Sequence, residues 1–156
     1  MTTPNTLKES SMKSRFYLAL ALVGASGLAS AQMTPVGQWH SIDDKTGELK
    51  SLLVIVESAG VLNGRIEKLL RKSADQNARC DQCSDDRKDK PLIGMEIIRG
   101  AKKAEGKDVW EDGKILDPEN GKVYALRMTP IEDGKKLEVR GSIAFFGRTQ
   151  TWVRVP

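Results

Sequence analysis

Leu137-Glu138-Val139-Arg140-Gly141-Ser142-Ile143-Ala144-Phe145 is the stretch that decides the fold. Leu137, Val139, Gly141, Ile143 and Phe145 fall on one side of an extended chain, and Glu138, Arg140 and Ser142 on the other. Side chains on a strand alternate between faces, so a period of two with apolar residues on one side marks a half-buried antiparallel strand. Lys122–Thr129 repeats the pattern, with Tyr124, Leu126 and Met128 on one face. Leu52–Val56 is apolar on both faces, which predicts a centrally placed strand. Val61–Leu70 is ambiguous: Leu62, Ile66, Leu69 and Leu70 also fit a helical period of 3.6, but Asn63-Gly64 within the run disfavours a helix.

Turn chemistry separates these runs. Asp43–Gly47, Ser58-Ala59-Gly60, Asp117–Gly121 and Glu132-Asp133-Gly134 supply Asx and Gly residues that tolerate the positive φ of tight hairpins. Short strands punctuated in this way, every ten or so residues, predict an all-β sandwich or barrel.

The amino-terminal end has a different character. Lys13 and Arg15 precede an uncharged apolar run, Phe16–Leu28, and Ala29-Ser30-Ala31 follows with the small residues of a signal-peptidase site. The run is shorter than the ~20 residues of a membrane-spanning helix. Residues 1–31 therefore read as a signal peptide cleaved after Ala31, and residues 32–156 as one mature domain in the periplasm or outside the cell. Met1 to Ser11 is polar, carries Glu9 and adds nothing to such a signal, whereas Met12 begins an ordinary one; the expected translation start is Met12.

Loss of Lys8, Glu9, Lys13 and Arg15 with the signal lowers the net charge from +4 to +2. No basic stripe with interleaved aromatics argues for nucleic acid as a partner, and no second apolar run reaches membrane length. Neither a phosphate-binding glycine loop nor a cofactor signature is present, and His40 is the only histidine. His40 lies opposite Trp39 along the strand, so an inward Trp39 turns His40 outward, away from any catalytic role.

Ser73–Lys90 is a polar segment without hydrophobic pattern, longer than the ~4–6 residues of ordinary connections. It reads as a binding loop or as a mobile loop stapled by a disulfide. Within it lie Cys80 and Cys83. A redox pair wants cations beside its thiols, and here Asp81, Asp85 and Asp86 crowd the site instead. A zinc site wants four ligands, and the chain offers two Cys and His40. An exported protein folds in an oxidising compartment, where a structural disulfide is the default. Its contribution on the loop-entropy estimate is only ~2 kcal/mol, so it is expected to pin the loop locally.

GQWHSIDDKTGELKS (Gly37 to Ser51), NGRIEKL (Asn63 to Leu69), CDQC (Cys80 to Cys83), GKILDPENGKVY (Gly113 to Tyr124) and LEVRGSIAFFGRTQTWVR (Leu137 to Arg154) occur in that order. Together they resemble the DUF2147 family, exported bacterial proteins of uncharacterised function, across essentially the whole mature chain. The resemblance implies an up-and-down, lipocalin-like antiparallel β-barrel of about eight strands. A Gly-x-Trp opening the first strand, with an arginine near the domain's end stacked on the tryptophan, is likewise similar to lipocalin-type folds. No reaction and no catalytic residue is implied.

Alternation then places Gly37, Trp39, Ser41 and Asp43 on one face, and Arg148, Gln150, Trp152 and Arg154 on one face of the last strand. If the tryptophans point inward, the arginines do too, and Asp43 is the expected partner for a buried arginine. In one reading Arg148 or Arg154 receives an anionic ligand group; in the other Trp39, Trp152 and the arginines close the barrel by stacking and pairing. Trp110 is a candidate to cover a cavity mouth, and Tyr124 to line the cavity. Asp112 and Asp117 are an acid/base pair only on paper, and turn chemistry explains them better. The candidate binding set is thus Trp39, Asp43, Trp110, Tyr124, Arg148, Trp152 and Arg154, with no metal site and no cofactor. The leading function is binding of a small molecule, partly apolar or anionic. An interaction module of the cell envelope is second, and an enzyme third.

Overall fold

The computed structural model describes residues 33–156. The expected signal peptide and the start at Met12 lie outside the described residues. Eight strands follow one another: β1 Gly37–Ile42, β2 Leu49–Ser58, β3 Val61–Leu69, β4 Glu96–Lys103, β5 Trp110–Asp117, β6 Lys122–Ile131, β7 Lys136–Ile143 and β8 Phe146–Arg154. Each pairs antiparallel with the next, and β1 pairs with β8, so the sheet closes into an up-and-down barrel. Closure leaves no edge strand to be protected. Among the described residues no helix is long and apolar enough to cross a membrane.

Alternation builds the core as the sequence predicts. Leu137 and Val139 on β7, and Leu126 and Met128 on β6, are buried, as are Leu53 and Ile55 on β2. Val61–Leu69 is a strand, not a helix. Its Gly64 faces Ile55 and Ile98 so closely that a Cβ would sit 3.1–3.2 Å from their side chains. Its Asn63 accepts a hydrogen bond from the Gly100 backbone N–H at 2.9 Å.

Two expectations are corrected. Val56 on β2 is 45% exposed, so that strand is not apolar-buried on both faces; a closed barrel has no central strand to be covered twice. Phe145 does not continue the inner face of β7 and is fully exposed. The strand ends at Ile143, which pairs with Phe146 across a two-residue turn, Ala144-Phe145. Ala144 takes φ 51° there without the Gly or Asn that signals such turns.

Antiparallel order gives the barrel two distinct ends. Odd-numbered strands start at one end and even-numbered strands at the other. The first end holds the starts of β1 and β5, the turns β2–β3 and β6–β7, and the finish of β8. Here Trp39 is fully buried, its indole N–H donates to Pro35 O at 2.7 Å, and Arg154 stacks on its ring. The second end holds the connections β1–β2, β3–β4, β5–β6 and β7–β8.

The long β3–β4 connection is packed onto this second end. Cys80 and Cys83 form a disulfide and are buried with the core. Arg79 bridges to Pro91, and Leu92 N–H donates to Ala78 O at 2.9 Å. Arg87, only 6% exposed, donates to Glu96 O at 3.0 Å and pairs with Asp85. The connection is therefore fixed by its own buried contacts as well as by the staple. The β5–β6 turn packs so closely on it that a Cβ on Gly121 would lie 1.9 Å from Gln82 O.

Candidate functional site

The second end opens into a cavity of about 390 Å³ inside the barrel. Leu53, Ile66, Ile97, Val139 and Trp152 form apolar wall, and Ser41, Ser51, Gln150 and Tyr124 add polar groups. Ser41 and Ser51 are buried but satisfy each other through hydroxyls 2.6 Å apart. The Tyr124 hydroxyl accepts from Asn120 Nδ2 at 3.0 Å. The β3–β4 connection contributes Ser73, Ala74, Ala78 and Leu92 to one side of the mouth.

Charged side chains ring the mouth. Lys50 Nζ lies 2.9 Å from Glu119 Oε2, and Arg71 Nη1 lies 2.8 Å from Glu119 Oε1. Arg71 also pairs with Asp43. Asp43, Arg71, Glu119 and Lys50 thus form a chain of ion pairs joining the β1–β2 loop, the end of β3, the β5–β6 turn and the start of β2. Arg148 on β8, also lining the cavity, pairs with Asp44, its Nε donating at 3.1 Å. The Asp43 carboxyl is held down to about 2, mainly because the Lys45 and Thr46 backbone N–H groups donate to it, with Arg71 adding to the effect. Partial burial opposes ionisation of Glu119, but hydrogen bonds from Lys50 and Arg71 outweigh it and keep the carboxyl below its ordinary value. Among the described residues, no buried side-chain nitrogen or oxygen lacks a hydrogen-bond partner.

The sequence candidates divide between the two ends. Tyr124, Arg148 and Trp152 line the cavity, and Asp43 stands at its rim. Trp39 and Arg154 lie at the opposite, closed end, where Arg154 donates to Val36 O at 2.9 Å and Thr34 O at 2.6 Å. Trp110 is at that closed end too, buried beneath Lys103, whose ammonium lies 5.2 Å from its ring centroid. It does not cover the mouth. Strand parity carries the signal that would have shown this: Trp110 opens β5 as Gly37 opens β1, so both start at one end. By the same count Arg148 and Arg154, at opposite ends of β8, cannot serve one site.

The expected pairing of Asp43 with an inward arginine of β8 is also corrected. The β1–β2 register shifts between Ser41 and Ile42, which pair with Ser51 and Leu49, so Asp43 leaves the alternation and caps a loop. The same shift leaves Lys50 without a partner on β1, and Lys50 lines the cavity mouth. Lys50, Arg71 and Glu119 were invisible to alternation because a bulge, a strand end and a turn place them. Asp112, at φ 63°, occupies a bulge near the closed end, while Asp117 caps the β5–β6 turn through Glu119 N at 3.0 Å; they form no acid/base pair.

Residues 37–154 match the family described as "Uncharacterized protein conserved in bacteria (DUF2147)". Among curated proteins none matches the chain. A solved structure described as "Protein HP1028 from the human pathogen Helicobacter pylori belongs to the lipocalin family" is similar in fold, with a TM-score of 0.65 and 17% identity over 78% of this chain and 82% of that one.

Proposed function

The chain belongs to the DUF2147 family, and for this member we propose an exported lipocalin-like barrel that binds one small, partly apolar molecule inside the barrel. The cavity carries this reading. Its volume of about 390 Å³ falls within the ~300–1,000 Å³ typical of small-molecule sites, and its apolar walls end in a few polar groups at the mouth. The signal-like segment before residue 32 and the buried Cys80–Cys83 bridge support export.

Native mass spectrometry of the protein purified from its own cells tests the reading, since a retained ligand is identified by its mass. A neutral fluorescent naphthylamine supplies a second test, and its emission should rise on entering the barrel. A protein that retains nothing and takes up no probe sinks the proposal.

One observation favours a second reading, an interaction module of the cell envelope. Phe145 and Phe146, 101% and 83% exposed, stand with Ile143 at the tip of the β7–β8 hairpin beside the cavity mouth. Exposed aromatics so grouped are uncommon on a monomer's surface and mark contact sites. Replacing both by Ser and repeating cross-linking in cells should remove any partner captured through this tip; an unchanged cross-linking pattern rejects the tip as the contact.

A further inference from the structure

We propose that the barrel takes an aliphatic chain ending in a carboxylate, and that the ligand's head replaces the Glu119 carboxylate on Lys50 and Arg71. The inference rests on the cavity being a ligand site and adds the ligand's chemical class. Two cations borne by the barrel, Lys50 on β2 and Arg71 just past β3, converge on the two oxygens of one carboxylate. That carboxylate belongs to a surface turn. Its side chain is 52% exposed, and these two cations are its hydrogen-bond partners. Directly beneath lies apolar wall.

A carboxylate-headed chain matches this arrangement at both ends. Its tail lies against Leu53, Ile66 and Trp152, and its head offers Lys50 and Arg71 the same acceptor geometry that Glu119 now gives. The exchange leaves neither half-buried cation unpaired, because one carboxylate leaves for water as another arrives. A cationic head would instead meet Lys50 and Arg71 with like charge, and a neutral head would leave one of them without an anion. Asp43 is not the exchangeable group: the Lys45 and Thr46 N–H groups, at 2.9 and 3.0 Å, fasten it to its loop.

Displacement of the neutral naphthylamine probe from the purified protein, by dodecanoate and by dodecanol, tests the inference. Dodecanoate should compete more strongly than dodecanol, by about three- to tenfold. Glu119→Gln removes the competing charge while keeping the side-chain shape, and should tighten dodecanoate with dodecanol unchanged. Lys50→Gln should weaken dodecanoate alone, and it keeps the test decisive if Glu119→Gln does not fold. If the probe binds but the alcohol competes as well as the acid, or if Glu119→Gln folds and leaves dodecanoate unchanged, the carboxylate inference is overturned and the cavity reading stands. Failure of the probe itself to bind overturns both.

Discussion

The Arg154 guanidinium carbon lies 4.1 Å from the centroid of the Trp39 ring, joining the last strand to the first. Its nitrogens also reach three backbone carbonyls: Nε donates to Gly134 O at 2.5 Å, Nη1 to Val36 O and Nη2 to Thr34 O. A flat fork with donors at fixed angles suits that task, and an ammonium does not. Arg154→Lys should cost about 2 kcal/mol by urea unfolding, through lost hydrogen bonds and stacking. Probe binding at the far end should be unchanged while the protein stays folded. Weaker binding with undiminished stability would place Arg154 in the ligand site instead.

Gly37 explains why a glycine stands two residues before Trp39. At φ 132°, a Cβ here would lie 2.6 Å from Arg154 Nη1. Gly37→Ala should therefore push Arg154 off the ring and destabilise by about as much as losing the arginine's bonds, ~2 kcal/mol or more. The double variant with Arg154→Ala should cost less than the two single changes added together, because both act on one contact.

The β2–β3 turn offers a gain. Ser58 pairs with Val61, and the two residues between, Ala59 and Gly60, take φ 50° and 77°. Two positive φ values define the turn that prefers Asn-Gly. Ala59→Asn should raise stability by ~0.5–1 kcal/mol, read as a higher urea midpoint at unchanged m-value.

Gly121 should control access to the disulfide. Its φ of 68° and its contact with Gln82 O leave no room for a methyl group. Gly121→Ala should lift the β5–β6 turn off the β3–β4 connection and expose Cys80 and Cys83. The expected readout is faster reduction by dithiothreitol in the folded protein; an unchanged rate would mean the turn does not shield the bridge.

Acid should loosen the mouth. Asp43 and Asp85 ionise in the folded protein at about 2, against 3.8 when unperturbed. Between those values the unfolded chain binds more protons, so stability rises with pH across the interval and is lost as pH falls through it. The urea midpoint should be level above about pH 5 and decline from about pH 4 towards 2. Asp43→Asn should shallow that decline.

Much of the fold is legible in the sequence because hairpin barrels repeat one rule. Period two in Leu137–Val139 and Lys122–Thr129, with turn residues at Ala59-Gly60 and Asp117–Gly121, suffices to find the strands. Alternation fails where the backbone breaks step. The register shift at Ser41 and Ile42 removes Asp43 from the inner face and turns Lys50 towards the mouth. The turn at Ala144-Phe145 carries no glycine, so Phe145 reads as continued strand. The β3–β4 connection hides its order for another reason: Cys80, Cys83 and Arg87 are buried by contacts distant along the chain, which leave no period in the local sequence.

The seam between β1 and β8 has two paired positions, Trp39 with Arg154 and His40 with Val153, and it joins residues more than a hundred positions apart. That gives assembly a deadline. A chain emerging amino-terminus first can pair its strands as they appear, but its ring stays open until β8 arrives. The Trp39–Arg154 clasp is thus available only once the whole of β8 has been made, in whatever order the other strands pair. A chain stopped before β8 can keep six of the eight strand pairings, but it has no strand with which to close the ring.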